Sequence, residues 1–445
     1  MNEDLFARGL AKGSQTKVIN VGRGVAASAG KSLSEVLGVD KPFLVVADEH
    51  TWKAAGAAVC RSLQEYGQVA EPMIYPGYPA LYASYDHCEE IKARLAKTGA
   101  TGVAVGSGTI NDLVKLASGE LGQPYGVVGT AASMDGYSGF GAPMGVGGVK
   151  VTLPCPAPAV VVFDYDVAAA APRSMTASGF GDLSAKLPGG ADWILADAVG
   201  VEPIDPLAWE LVQSGVQEAL SQPAALAAGD PDAYEGLVNG LLLSGLSMQV
   251  YEGTRPASGA EHYFSHLWEL DHLGADLEPP LSHGFKVAIG TLAMTAFYER
   301  FLERDFSALD IEAAVRAWPS WEELEADIRS KMDGPLAEKG VKETAEKYVG
   351  AEGLRARLGS VAGNWPALAK RLRAQLLPFA ELQERLGLAG APTKPEDIGL
   401  SALDVKATFP KAMYYRSRYT VLDLAREAGW FDSLVDEVFE GSYWA

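Results

Sequence analysis

The first third of the chain alternates short Val-rich apolar runs with stretches whose apolar residues recur at helical spacing. Val18–Val21, Phe43–Ala47, Gly102–Val105, Tyr125–Gly129 and Ala159–Phe163 read as strands bounded by Gly, Pro or Asp. Amphipathic segments such as Gly56–Tyr66 and Cys88–Lys97 lie between them. Strands interleaved with helices predict a parallel sheet. From Pro172 onward the pattern is mostly helical, as in Pro206–Leu220, Tyr234–Tyr251, Gly284–Leu302 and Trp365–Leu388. Breaks fall at Pro279–Pro280 and Pro392–Pro395. The pattern predicts a dinucleotide-binding α/β domain with a Rossmann-like sheet over residues 1–171. An all-helical domain follows over residues 172–445.

Composition narrows the class. The chain has 445 residues, 48% hydrophobic and 21% charged, as in an ordinary soluble protein. Its net charge of −20 argues against nucleic acid and against an anionic membrane surface. Three scattered cysteines, Cys60, Cys88 and Cys155, form no CxxC pair and suit a reducing cytoplasm. No apolar run approaches the length of a membrane span.

Four of the six histidines crowd into Ala257–Gly284, at His262, His266, His272 and His283. His262 and His266 are four apart and share a helix face. They supply either two ligands, or one ligand and one substrate contact. His283 comes from a following helix start, and Asp182 precedes a short helix over Leu183–Lys186. Two imidazoles and one carboxylate hold a divalent cation and leave a position open for a substrate oxygen. His50 and His87 read as surface residues, and His272 lies in an acidic loop.

Two glycine-rich turns compete for a phosphate. Gly22-Arg23-Gly24-Val25-Ala26-Ala27 follows the first strand and matches G-x-G-x-x-A, with Asp48 ending the next strand. Gly106-Ser107-Gly108-Thr109-Ile110-Asn111-Asp112 follows the strand Gly102–Val105 and opens a helix. Free helix-start N–H groups there would face a pyrophosphate. A third segment, from Gly129 to Gly139, carries small hydroxyl residues and one acid at a strand's carboxyl end, where α/β sheets bind ligands.

In chain order, GSGTIND, GTAASMDGYSG, SGFGDLSAK, RPASGAEHYFSHLWEL and SHGFKVAIG resemble the glycerol-1-phosphate dehydrogenases of bacteria, and the resemblance runs on to the end of the chain through AMYYRSRYTVLDLAREAG. The superfamily also holds iron-containing alcohol dehydrogenases, glycerol dehydrogenase and dehydroquinate synthase. The resemblance implies a dehydroquinate synthase-like fold. The implied activity interconverts dihydroxyacetone phosphate and sn-glycerol 1-phosphate with NAD or NADP. It places Gly106, Gly108, Thr109, Ile110, Asn111 and Asp112 along the dinucleotide, with Thr130, Ala131, Ala132, Ser133 and Gly139. Asp48 would meet the adenosine end. Asp182, His262 and His283 would bind zinc or nickel, Asp182 also touching substrate. Asp135 and His266 would face the substrate, His266 as a proton relay. A cytoplasmic homodimer is also implied. The chain departs from the superfamily's HGEK at His283-Gly284-Phe285-Lys286, losing a glutamate, and carries Gly139 where a serine is common.

Arg255 and Lys186 flank the metal motifs and are the expected phosphate holders. Glycerol dehydrogenase, with the same chemistry and no phosphate, is the nearest alternative. A sugar-phosphate cyclase would carry Glu where this chain has Asp182. A non-catalytic protein would have no need of Asp182, His262 and His283 together. The region from Trp321 to Ala445 carries no motif with assignable chemistry, and packing is its expected role.

Overall fold

The computed structural model describes residues 2–444 except positions 14, 147, 148 and 442. Six strands form one parallel sheet in the order β1-β8-β5-β4-β2-β3. They are β1 (Val18–Gly22), β2 (Phe43–Asp48), β3 (Met73–Tyr75), β4 (Thr101–Gly106), β5 (Gly126–Gly129) and β8 (Val160–Asp164). Each of β4, β5 and β8 is buried along its whole length, which is why their sequences run apolar without alternating. The expected strands all form. Two features escaped the pattern: the short edge strand β3, and the antiparallel hairpin β6 (Ala142–Val146) with β7 (Val149–Leu153).

The helices that matter for the site are α1 (Asn2–Lys12), α2 (Gly108–Glu120), α3 (Arg173–Ser184), α4 (Lys186–Ala198), α5 (Pro206–Gln213) and α6 (Pro231–Tyr251). They continue with α7 (Ala260–Leu270), α8 (His283–Leu302), α9 (Gly334–Lys347) and α10 (Ala402–Tyr414). The stretch 206–220 is two helices, because Gly215 interrupts it. The stretch 365–388 also divides, at Pro378, and its first part begins upstream at Ala351 and runs through Pro366. Helix α1 packs on α5 and α6, and Arg8 donates to Glu210 at 2.8 Å. The first residues of the chain therefore sit on the helical half, although they precede the sheet in sequence.

Strand order locates the crevice. The chain leaves β2 outward to β3, whereas β4 continues inward to β5 and β8. The connections part between β2 and β4, where open α/β sheets bind ligands. The register pairs Val46 with Ala104, and both strands end two residues further on, at Asp48 and Gly106.

Candidate functional site

The two glycine-rich turns have different fates. At the β1 turn, Gly24 and Ala26 N–H both donate to the Asp164 carboxylate, at 3.1 and 2.9 Å. That cradle is filled from within by β8, at the sheet edge, and offers nothing to a nucleotide. The β4 turn lies at the crevice and opens α2. A Cβ on Gly106 would meet the Ile110 side chain at 2.6 Å, and one on Gly108 would meet the Met134 methyl at 3.1 Å. Glycine is therefore what lets the backbone fold this tightly at the start of α2.

Several residues expected on the dinucleotide support the turn from beneath. Ile110 and Asn111 are buried. Asn111 accepts from Tyr125 Oη at 3.0 Å, and Lys115 Nζ, close to Asp112, donates to Gly136 and Gly141 carbonyls. Thr130 N–H donates to Gly106 O at 3.1 Å, tying the loop after β5 to the β4 turn. Thr130, Ala131 and Ala132 are buried, while Ser133 and Thr109 are half-buried. Asp48 accepts from Thr51 N–H at 2.8 Å and caps the short helix that follows. Gly139 is buried beside Met248, its N–H donating to Gly136 O.

Close helix crossings assemble the histidine site. A Cβ on Gly181 would lie 2.4 Å from Gly284 O, and one on Gly284 would lie 1.9 Å from Ser178 O. Only glycines let α3 and α8 cross this tightly, and that crossing brings Asp182 against His283. Asp182 lies inside α3; the expected position ahead of a helix is corrected. His262 and His266 share a face of α7, and His283 opens α8 behind its cap Ser282.

Asp182, His262 and His283 each offer a ligand atom within 4.8 Å of the others, and His262 Nε2 lies 3.6 Å from Asp182 Oδ1. Donors sharing one first-row cation stand about 3–4 Å apart. His262 Nδ1 is 2.9 Å from Glu261 Oε1, and His283 Nδ1 is 2.9 Å from Glu269 Oε1. With each Nδ1 tied to a carboxylate, Nε2 is the nitrogen left for a cation. Four enclosed carboxylates, Asp135, Asp182, Glu261 and Glu269, surround the site; Lys186 pairs with the first two and the histidines with Asp182 and the glutamates. The excess negative charge suits a dication. The residues fit a divalent metal.

Burial alone would raise the Asp182 carboxyl; Lys186 and His262 outweigh it and hold the group well below the usual carboxylate range. Burial likewise pulls on Lys186, but Asp135 and Asp182 keep it charged. His266 stands apart from this set. Its ring centre lies 6.1 Å from that of His262 and 5.9 Å from that of His283, and its side chain is 32% exposed. Burial pushes its imidazole down to about 4.

Asp135 joins the halves: its N–H donates to Asp182 Oδ2 at 2.8 Å, and its own carboxylate meets Lys186 Nζ at 2.9 Å and Ser244 Oγ at 2.8 Å. Neither expected phosphate holder reaches the opening. Lys186 is fully buried between its two carboxylates. Arg255 is fully buried too, donating to the Asp192 and Tyr419 carbonyls and pairing with Glu202. The sequence reading missed Glu261, Glu269 and Ser244. The glutamates stand inside EHYFSHLWEL and could have been found as carboxylates near HxxxH; Ser244 carried no signal.

Comparison with known proteins decides the family. The iron-containing alcohol dehydrogenase model matches residues 20–172. The glycerol-1-phosphate dehydrogenase [NAD(P)+] of Geobacillus thermodenitrificans is 31% identical over 73% of this chain and 78% of that protein. The chain belongs to the glycerol-1-phosphate dehydrogenase family. The namesake from Halalkalibacterium halodurans is 35% identical over 57% of this chain, and the match spans 64% of that relative's length. Among solved structures, a probable glycerol dehydrogenase from Sinorhizobium meliloti superposes with a TM-score of 0.60 at 16% identity. It covers 96% of this chain and 99% of its own, a likeness of fold. Among the described residues no helix is long and apolar enough to cross a membrane.

Proposed function

We propose that this protein interconverts dihydroxyacetone phosphate and sn-glycerol 1-phosphate with a nicotinamide dinucleotide and one divalent cation. The observation that carries the reading is the convergence of Asp182, His262 and His283 beside Asp135, in the loop that follows β5 and is tied to the β4 turn by Thr130. Residues 1–171 form the working half for the dinucleotide and residues 172–445 that for the cation and substrate. Asp182, His262 and His283 would hold the cation, either zinc or nickel, since both accept imidazole.

When bound, the dinucleotide supplies hydride exchange and the cation supplies Lewis-acid polarisation of the substrate oxygen. The chain's own residues do the rest. Gly106, Gly108 and Thr109 present the start of α2 to the pyrophosphate. Asp48, at the end of β2, meets the adenosine ribose; an acid there favours NAD over NADP. Ser133 and Asp135 line the inner rim, and Asp135 is aimed by Lys186 and Ser244. Asp182 is held ionised by Lys186, ready to act as a ligand. His266, stacked on Tyr415, stands over the triad and exchanges the hydroxyl proton of the substrate.

Absorbance of NADH, followed with dihydroxyacetone phosphate, free dihydroxyacetone and a cyclase substrate in turn, tests the reading. Net NADH consumption with the phosphorylated ketone supports it. Turnover without net NADH change contradicts it, because a cyclase regenerates its NAD.

A further inference from the structure

The C-terminal region, silent in sequence, reaches over His266. Tyr415, just past the end of α10, stacks on the His266 imidazole with ring centres 6.1 Å apart and planes 26° from parallel. Two cations sit on this same tyrosine. Lys339 Nζ, from α9, lies 3.6 Å from the ring centre, and the Arg416 guanidinium lies 5.8 Å from it. Both cations and the histidine that faces the triad thus lie against one aromatic ring.

Other enclosed cations have close partners; Arg418 donates to Ser258 and Thr254. Lys115, Lys186, Lys347 and Arg357 each pair with a carboxylate. Among the described residues, Lys339 and Arg416 have none within ion-pair distance. Glu343 acts on Lys339 from farther off, while its Oε2 accepts the Ser417 N–H at 2.7 Å. Arg416 Nε is buried with no hydrogen-bond partner. Burial and the neighbouring Arg416 pull Lys339 down to about 8. Two adjacent, half-buried cations on a chain of net charge −20 repel each other and lose hydration. A dianion between them relieves both costs.

We propose that Lys339 and Arg416 grip the phosphate of the three-carbon substrate, so that the C-terminal region sets the preference for a phosphorylated over a free polyol. The inference rests on the reading of the triad and His266 as the substrate site. Arg416 offers a planar, bidentate fork and Lys339 a point charge.

Steady-state kinetics of the holoenzyme and of Lys339→Met, Arg416→Met and Arg416→Lys test this. Losing one charged hydrogen bond raises the KM for dihydroxyacetone phosphate by about tenfold or more. The inhibition constant of inorganic phosphate rises with it, and the KM for NADH moves by less than about twofold. Arg416→Lys recovers part of the loss. Unchanged KM and phosphate inhibition in both Met variants, with wild type still preferring the phosphorylated ketone, overturns the proposal and leaves the dehydrogenase reading standing. Equal wild-type turnover of free dihydroxyacetone overturns the phosphorylated-substrate reading itself. A measurement on wild type needs no variant to fold. Acetylation of Lys339, read by mass spectrometry, slows when inorganic phosphate saturates the protein; an unchanged rate overturns the proposal.

Discussion

His283 Nδ1 lies 2.9 Å from Glu269 Oε1, although a break of irregular chain separates α7 from α8. The pairing fixes the ring so that its other nitrogen faces Asp182 and His262. The same glutamate has its second oxygen 3.6 Å from His266 Nδ1, so one carboxylate meets both His283 and His266. It also supplies negative charge beside the cation site of a chain that lacks the glutamate of HGEK.

Glu269→Gln should weaken metal binding by about 10–100-fold, as removal of a ligand's carboxylate partner does. Competition against a chromophoric chelator measures this. An unchanged metal affinity would mean that the ring is fixed by packing alone.

His266→Asn should keep the metal and lose turnover. The expected fall in kcat is about 10²-fold or more, with metal content per chain unchanged. Loss of metal in this variant would make His266 a ligand and displace one of the three.

Arg255→Ala should act on stability and leave substrate affinity alone. It leaves Glu202 and two carbonyls, of Asp192 and Tyr419, without their buried partner. The cost is about 3 kcal/mol or more. Calorimetry should show a lower melting temperature, while the KM for dihydroxyacetone phosphate stays near wild type. A large rise in that KM with normal melting would return Arg255 to the substrate.

Stability should fall as pH rises toward neutrality. Glu427 is raised from 4.5 to about 7, burial outweighing Arg357 and Tyr419. Asp192 is raised from 3.8 to about 7, by burial and by Glu261. The folded chain therefore holds these protons more tightly than the unfolded chain. Their contribution is full below about pH 4 and is lost as pH rises through about 7. Melting temperatures between about pH 6 and pH 8 should drop less for Glu427→Gln than for wild type. Equal drops would remove Glu427 from the pH dependence.

The sequence was most legible where one local pattern carries the physics. The buried strands β4, β5 and β8 announce themselves as Val-rich runs, and HxxxH announces a shared helix face. The β1 turn misled because G-x-G-x-x-A specifies a backbone shape, and the carboxylate filling it, Asp164, comes from the far end of the sheet-forming region. Arg255 misled in the same way. Its nearness to the histidines along the chain says nothing of the carbonyl of Tyr419 that holds it. Lys339, Tyr415 and Arg416 carried no legible chemistry, although the last two stand in the family-like segment AMYYRSRYTVLDLAREAG, because α9 and the end of α10 meet only in the folded chain.

Elemental analysis of purified protein tests the central claim most directly. The account predicts about one divalent cation per chain in wild type and in His266→Asn. Asp182→Ala, His262→Ala and His283→Ala should each lose it, and chelator-stripped wild type should regain turnover only when a divalent ion is restored. Full metal content in the three alanine variants, or full turnover of metal-free wild type, would contradict it.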